Sequence, residues 1–148
     1  MSRETLSRLL SAFLLGLCLY AAASKLMNYP EFASQLSLHP LLRRFSGLIA
    51  WLLPSVEIAV SVCLFVPALR LKGLYGSFVL LLLFSVYILA MLLTASHLPC
   101  SCGGILRHLS WGEHLCGNII FAVIAVWAIR LESALLKERR LQKAYELF

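Results

Sequence analysis

Charged side chains are scarce in this sequence. Of its 148 residues only 14% are charged and 61% are hydrophobic, whereas a soluble domain has about 25% charged and roughly 45–50% apolar residues. This composition excludes a soluble globular fold, and it also excludes an unfolded chain, because so much apolar surface does not stay exposed to water. An integral membrane protein remains. At roughly 20 residues per spanning helix, we expect one membrane domain over residues 1–148.

Long stretches without any charge predict where the chain crosses the membrane. No Asp, Glu, Lys or Arg occurs between Lys72 and Arg107, and Glu57 is the only one from Phe45 to Leu69. The run 79–84 is apolar on all sides and lacks the period-two alternation of a membrane β-barrel. The predicted fold is therefore all-α, a bundle of four transmembrane helices. We place the spans at 6–26, 45–67, 73–95 and 111–131.

The distribution of Lys and Arg predicts the orientation of the four spans. Nine fall in the N-terminus, the second loop and the tail, and four fall in the first and third loops. Cytoplasmic loops carry the excess of these residues, so both termini and the tail 132–148 are expected in the cytoplasm. The net charge of +6 is explained by this topology and by attraction to anionic lipids. We expect no nucleic-acid partner.

Two local patterns predict helix starts. Ser110 and Glu113 have the spacing of a capping box, in which each side chain satisfies a free backbone amide of the other residue. The fourth span is expected to begin there. Asn28 and Pro30 combine a cap residue with an early proline, which predicts a short helix across the outer surface after the first span.

The cysteines carry the clearest chemical signal. Of the five, Cys18 and Cys63 fall inside spans, where a buried thiol is usually a small apolar side chain. Cys100 and Cys102 are one residue apart in the third loop, between Pro99 and two glycines. A disulfide between them closes a small, strained ring, and strained disulfides are oxidising and labile. This pair is predicted to exchange electrons with other thiols.

Two alternatives to a redox pair stay open. The loop thiols are unreactive in one of them. In the other they bind zinc or copper, for which nitrogen and sulfur ligands are suitable, although Cys-x-Cys is tighter than the usual zinc spacing. The candidate ligands are His97, Cys100, Cys102, His108 and His114.

Cys116 and His114 extend the redox hypothesis. A thiol one turn into the fourth span can resolve a disulfide of Cys100 and Cys102, or pass electrons to a lipid-soluble carrier such as a quinone. His114 can stabilise a thiolate or accept its proton. A packed cysteine and an interfacial histidine are the structural alternatives.

Glu57 is unusual because a carboxylate inside a span is costly and commonly functional. Its expected role is proton coupling or a contact with a quinone head group, with a packing hydrogen bond as the alternative. We consider Tyr87, Ser85 and Tyr20 as partners at similar depth, and Lys25 closer to the outer surface. The predicted cofactor-binding residues are Glu57, Tyr87 and Lys25.

The chain resembles a known family. The four spans, with Ser24-Lys25-Leu26 closing the first, the segment 54–57 in the second and the segment 99–104 before the fourth, are similar to the MauE family of methylamine-utilisation membrane proteins, within the wider DoxX-like group. The resemblance covers about residues 5–132. It implies an inner-membrane protein that assists maturation of a disulfide-rich methylamine dehydrogenase subunit. The implied partner is a thioredoxin-like or disulfide-containing protein outside the cytoplasm.

Two other classes of function compete with the redox role. A small proton-coupled transporter would use Glu57 as its coupling carboxylate. A metal-binding or structural subunit of a membrane redox complex would need the cysteines for metal binding or for assembly.

Overall fold

The computed structural model describes residues 2–38, 42–94 and 110–145. Five α-helices form in this part of the chain, and it contains no β-strand. They are α1 (Arg3–Met27), α2 (Tyr29–Leu38), α3 (Ser46–Phe65), α4 (Arg70–Thr94) and α5 (Trp111–Tyr145), with a 3₁₀ turn at Arg43–Phe45 before α3. All except α2 are long and apolar enough to cross a membrane. The prediction of an all-α membrane protein with four spans is confirmed.

The four long helices form a ring in which each packs against two others. α1 contacts α3 and α5, and α4 contacts α3 and α5. Because neighbours are antiparallel, the N-termini of α1 and α4 meet the C-terminus of α5, and we call this end the basic end. The C-termini of α1 and α4 and the N-termini of α3 and α5 form the opposite end, which we call the Lys25 end.

The helix ends differ from the predicted spans mainly in α5. The predicted span ends at 131, but α5 continues without a break to Tyr145. The added residues are mainly Leu, Ala, Glu, Lys and Arg, which are good helix formers, and none is Gly or Pro. This continuation places Glu132 on the interior face of the bundle, where it is 4% exposed.

Both predicted helix starts are observed. The backbone amide of Ser110 donates to Glu113 Oε2 at 2.6 Å, and the amide of Glu113 donates to Ser110 Oγ at 3.3 Å. The capping box is therefore confirmed. After α1, the carbonyl of Asn28 accepts from the amide of Phe32 at 3.0 Å, and the short helix α2 begins at Tyr29, with only Asn28 between it and α1.

The interior of the bundle is a narrow apolar core between the four helices. Lipid tails are as apolar as leucine, so membrane helices associate through close packing, which small residues at the contacts allow. A Cβ atom on Gly73 would lie 2.7 Å from the backbone nitrogen of Leu64, which shows how closely α4 approaches α3. The buried core residues are Leu14, Cys18, Val60, Leu64, Leu74, Leu80, Leu81, Ala125, Ala128 and Ile129.

The outer surface of the helices is strongly apolar. Trp51, Leu83, Val123 and Trp127 are each more than half exposed. Such side chains are unfavourable in water and suit the hydrocarbon of a bilayer. The protein is a multi-pass membrane protein.

Candidate functional site

A buried ion pair joins α1 to α3. The Nζ atom of Lys25, in the last turn of α1, donates to Glu57 Oε1 at 2.7 Å. Glu57 is 2% exposed and the Lys25 side chain is 15% exposed. Lys25 was expected closer to the outer surface than Glu57, but its long flexible stem lets the ammonium reach the carboxylate. The structure therefore brings together two of the three predicted cofactor-binding residues.

Aromatic rings and a backbone carbonyl complete the surroundings of the Lys25 ammonium. Nζ lies 4.8 Å from the ring centre of Phe84 on α4 and 5.9 Å from that of Phe32 on α2. It also donates to the carbonyl of Ala21 at 3.3 Å. Ring faces attract cations, so three helices besides α3 hold the ammonium beside Glu57.

The carboxylate of Glu57 is only half satisfied. Its Oε1 atom accepts from Lys25, whereas its Oε2 atom is buried and has no hydrogen-bond partner among the described residues. Leaving a buried acceptor without a donor is costly, and a carboxylate oxygen with free lone pairs can bind a proton. Oε2 therefore has lone pairs that are free to accept a proton or a hydrogen bond.

A small polar cavity lies beside Lys25. Its volume is about 20 Å³, which is enough for about one water molecule. It is lined by Ser24, Lys25, Asn28, Glu31, Phe32 and Gln35. A quinone ring does not fit in a cavity of this size, so the arrangement suits proton exchange with water better than quinone binding.

The other residues that were expected to be partners of Glu57 lie on α4 and α1. Ser85 donates its hydroxyl to the carbonyl of Leu81 at 2.8 Å. Tyr87 lies on α4 one turn beyond Phe84, and Tyr20 lies on α1, and both are partly buried. Ser85 also lines an apolar groove of about 300 Å³ between α4 and α5, away from the Lys25 cavity.

The start of α5 lies at the level of Lys25. The rings of Phe13 on α1 and Phe121 on α5 are 5.6 Å apart, which fixes the register of these antiparallel helices. From Phe13 to Lys25 is a rise of about 18 Å, and from Phe121 back to Ser110 is about 17 Å, at 1.5 Å per residue. The N-terminus of α5 therefore lies at about the same level along the bundle as the ion pair.

The predicted redox residues fall partly in the segment that joins α4 to α5. Cys100, Cys102, His97 and His108 lie outside the described residues. Cys116 is an exposed free thiol on α5, and His114 is partly buried. Because residues two apart on a helix do not face each other, this geometry does not favour a direct contact of His114 with the Cys116 thiol.

The surroundings of the two remaining described thiols, Cys18 and Cys63, are those of packed side chains. Cys18 is buried, with its sulfur 3.8 Å from the hydroxyl of Ser77, and Cys63 is partly buried. Among residues 2–38, 42–94 and 110–145, no group of three or more His, Cys, Asp or Glu side chains could hold a metal ion.

A second buried ion pair, which was not predicted from the sequence, lies at the basic end. Glu132 Oε2 accepts from the hydroxyl of Ser7 at 2.6 Å, and Glu132 Oε1 lies 3.8 Å from the guanidinium of Arg70. The signal was present in the spacing of Ala125, Ala128 and Ile129, because residue 132 continues the same helix face. Assigning Glu132 to a tail beyond the span concealed it.

Comparison with known proteins identifies the family. The family model for the methylamine utilisation protein MauE matches residues 3–131, which is nearly the whole bundle. No curated protein and no solved structure matches the chain. The resemblance seen in the sequence is confirmed, and the chain belongs to the MauE family.

Proposed function

We propose that this MauE-family membrane protein supports thiol–disulfide chemistry on a partner protein outside the cytoplasm. Cys100 and Cys102 form the exchanging pair. A thiolate of the partner attacks their disulfide and forms a mixed disulfide, and a second partner thiolate then displaces it. The partner gains a disulfide, and Cys100 and Cys102 take up its two electrons as thiolates, which become thiols with the two protons that the partner thiols released.

The position of the Lys25–Glu57 pair carries this proposal. It is buried at the end of the bundle where α4 ends and α5 begins, and the segment with Cys100 and Cys102 connects these two helices. Thiol exchange needs thiolates, so a nearby group must take up protons. Glu57 Oε2 has the lone pairs to accept one: a thiol and the carboxylate become a thiolate and a carboxylic acid.

We assign further roles to three predicted site residues. Cys116 is exposed six residues after Ser110, and we propose that its thiol resolves the disulfide of Cys100 and Cys102 when no partner is bound. His114 is proposed to act on thiols of the preceding segment and not on Cys116. Tyr87 is proposed to border the Glu57 centre, one turn beyond Phe84.

The proposed location is a bacterial inner membrane with both termini in the cytoplasm. The nine Lys and Arg residues of the basic end support this orientation. A maleimide that does not cross membranes is expected to label reduced Cys100 or Cys102 in intact cells and to leave Cys18 and Cys63 unlabelled. Labelling of the loop cysteines only after lysis would contradict both the orientation and the redox role.

Trapping of a mixed disulfide tests the function directly. Cys102→Ser leaves Cys100 without its resolving thiol, so we expect a partner protein linked to it in a complex that a reductant releases. Cys63→Ser is the matched control, because it removes one thiol in a span and keeps both loop thiols. No complex with Cys102→Ser, or equal amounts with both variants, would contradict the proposal.

A proton-coupled transporter is the second candidate, because Glu57 Oε2 is buried without a hydrogen-bond partner and Lys25, which binds Glu57, lines a water-sized cavity. Glu57→Gln separates the two functions. The transporter predicts loss of substrate uptake or export with the loop thiols unchanged, and the redox proposal predicts a changed oxidation state of Cys100 and Cys102.

A further inference from the structure

Charge is distributed very unevenly between the two ends of the bundle. In the described part of the chain, the Lys25 end has three cations and three anions, whereas the basic end has nine cations and only three anions. The cations of the basic end are Arg3, Arg8, Arg70, Lys72, Arg130, Lys137, Arg139, Arg140 and Lys143. The acidic residues there are Glu4, Glu132 and Glu138.

Ion pairs neutralise only some of these cations. Glu4 binds Arg8 and Arg139, Glu138 lies 3.8 Å from Arg3, and Glu132 faces Arg70. The other five are exposed and form no ion pair among the described residues. They are Lys72, Arg130, Lys137, Arg140 and Lys143.

Three of these cations share one face of α5. Lys137 follows Arg130 by seven residues and Arg140 follows Lys137 by three, so they stand above one another along the helix. Leu141 and Tyr145 lie on the same side and are 51% and 82% exposed. Cations mixed with exposed apolar side chains are typical of helix surfaces at the membrane interface.

The height of this face matches the headgroup layer. Arg130 directly follows Ile129, the last residue of the apolar core on α5, and Lys137 is about 10 Å further along the helix. The two ion pairs that join Glu4 to Arg139 and Arg3 to Glu138 hold this part of α5 against α1. The cations are thereby kept close to the end of the spans.

We propose that this face of α5, with Arg130, Lys137 and Arg140, binds the headgroups of anionic phospholipids. The negative headgroups supply the charge that the basic end lacks, and the acyl chains contact the apolar surface below. The inference is independent of the proposed redox function.

Lipid binding to the purified full-length protein tests this surface. The protein is placed in nanodiscs of equal parts phosphatidylglycerol and phosphatidylcholine, and the lipids it retains are measured by native mass spectrometry. Lys137→Gln/Arg140→Gln removes two cations from the proposed surface. Arg43→Gln/Arg44→Gln is the matched control, because it removes two exposed cations from the Lys25 end.

We expect wild type and the control to retain phosphatidylglycerol preferentially. The Lys137→Gln/Arg140→Gln variant should bind it about 30-fold more weakly, since each cation near a membrane surface contributes about fivefold, equivalent to roughly 1 kcal/mol. Equal loss in both variants, or no preference for phosphatidylglycerol in wild type, would overturn the inference. Soluble polyglutamate is added in a parallel sample. If the protein retains it in place of phosphatidylglycerol, the partner is an acidic protein and the inference is overturned.

Discussion

The two buried ion pairs of the bundle differ in which of their atoms lacks a hydrogen-bond partner. At the Lys25 end, Lys25 binds one oxygen of Glu57 at 2.7 Å, and the other oxygen has no partner among the described residues. At the basic end, Glu132 accepts from Ser7 at 2.6 Å and faces Arg70, whose Nε atom is the unpartnered one. An arginine stays protonated and accepts no proton, whereas a carboxylate oxygen can accept one.

Because of this difference, the Lys25–Glu57 pair is suited to proton transfer, and the Arg70–Glu132 pair is suited to holding helices together. Ser7, Arg70 and Glu132 come from α1, α4 and α5, so their contacts hold three helices together at one end. Lys25, which binds Glu57, lines a cavity that fits about one water, so water can reach the Lys25 side of this pair. We therefore expect substitutions at both pairs to affect stability, and substitutions at only one pair to affect thiol chemistry.

Replacing only one partner of either ion pair should have the largest effect on stability. Glu57→Leu leaves the Lys25 ammonium without its carboxylate, and Glu132→Leu does the same to Arg70. Removing one partner of a buried pair typically costs about 3–5 kcal/mol. We expect losses of this size in the free energy of unfolding, measured by denaturation in detergent micelles. A loss below about 1 kcal/mol would show that the pairs are not formed in the membrane protein.

Ser7→Ala should make Glu132 resemble Glu57. The substitution removes the 2.6 Å hydrogen bond to Glu132 Oε2 and leaves that oxygen buried without a donor. We expect the free energy of unfolding to fall by about 2 kcal/mol, with thiol chemistry unchanged. Ser55→Ala is the control, since this exposed serine bonds only the carbonyl of Trp51. Similar losses for both would contradict a specific role of the Glu132 contact.

Gly73→Ala should disturb the packing that positions the two pairs relative to each other. Its Cβ would lie 2.7 Å from Leu64 N and 2.9 Å from the carbonyl carbon of Cys63, so α4 must move away from α3. Overpacking of this kind costs about 1–3 kcal/mol. Gly16→Ala meets nothing within 4 Å and should be neutral or stabilising. The same denaturation experiment compares them, and equal stability of the two variants would argue against this close contact.

Ser110→Ala should have the smallest effect. It removes the side-chain acceptor of the capping box where α5 begins, for which about 1 kcal/mol is typical. The Lys25–Glu57 pair lies at the same level, so this variant shows whether the start of α5 affects the site. We expect slightly lower stability and unchanged capture of a partner protein. Ser34→Ala, an exposed helix serine, is the control, and complete loss of folding would contradict a purely local role.

The sequence was sufficient for the fold because membrane spans follow from composition. Charge-free runs of the right length predict four helices, and the capping box at Ser110 and the short helix after Asn28 follow from local hydrogen-bonding rules. These features depend on residues close together in the sequence. Glu57 was also identified, because an ionisable residue in an apolar run is conspicuous.

The pairing of the buried charges could not be obtained in the same way. Lys25 and Glu57 are 32 residues apart, and their contact depends on the register of α1 against α3 and on the length of the lysine side chain. Ser7 and Glu132 are 125 residues apart. Their contact depends on α5 remaining helical beyond its apolar part, which composition alone places outside the membrane.

Replacing both partners of each pair tests the central claim most directly. Lys25→Met/Glu57→Leu and Arg70→Met/Glu132→Leu remove two opposite charges each, and well-packed apolar replacements of buried pairs are often neutral for stability. Both are made together with Cys102→Ser, and the yield of the mixed disulfide with the partner protein is measured. We predict that both variants fold, that the Lys25/Glu57 variant loses capture and that the Arg70/Glu132 variant keeps it. Equal capture by two folded variants would contradict the account.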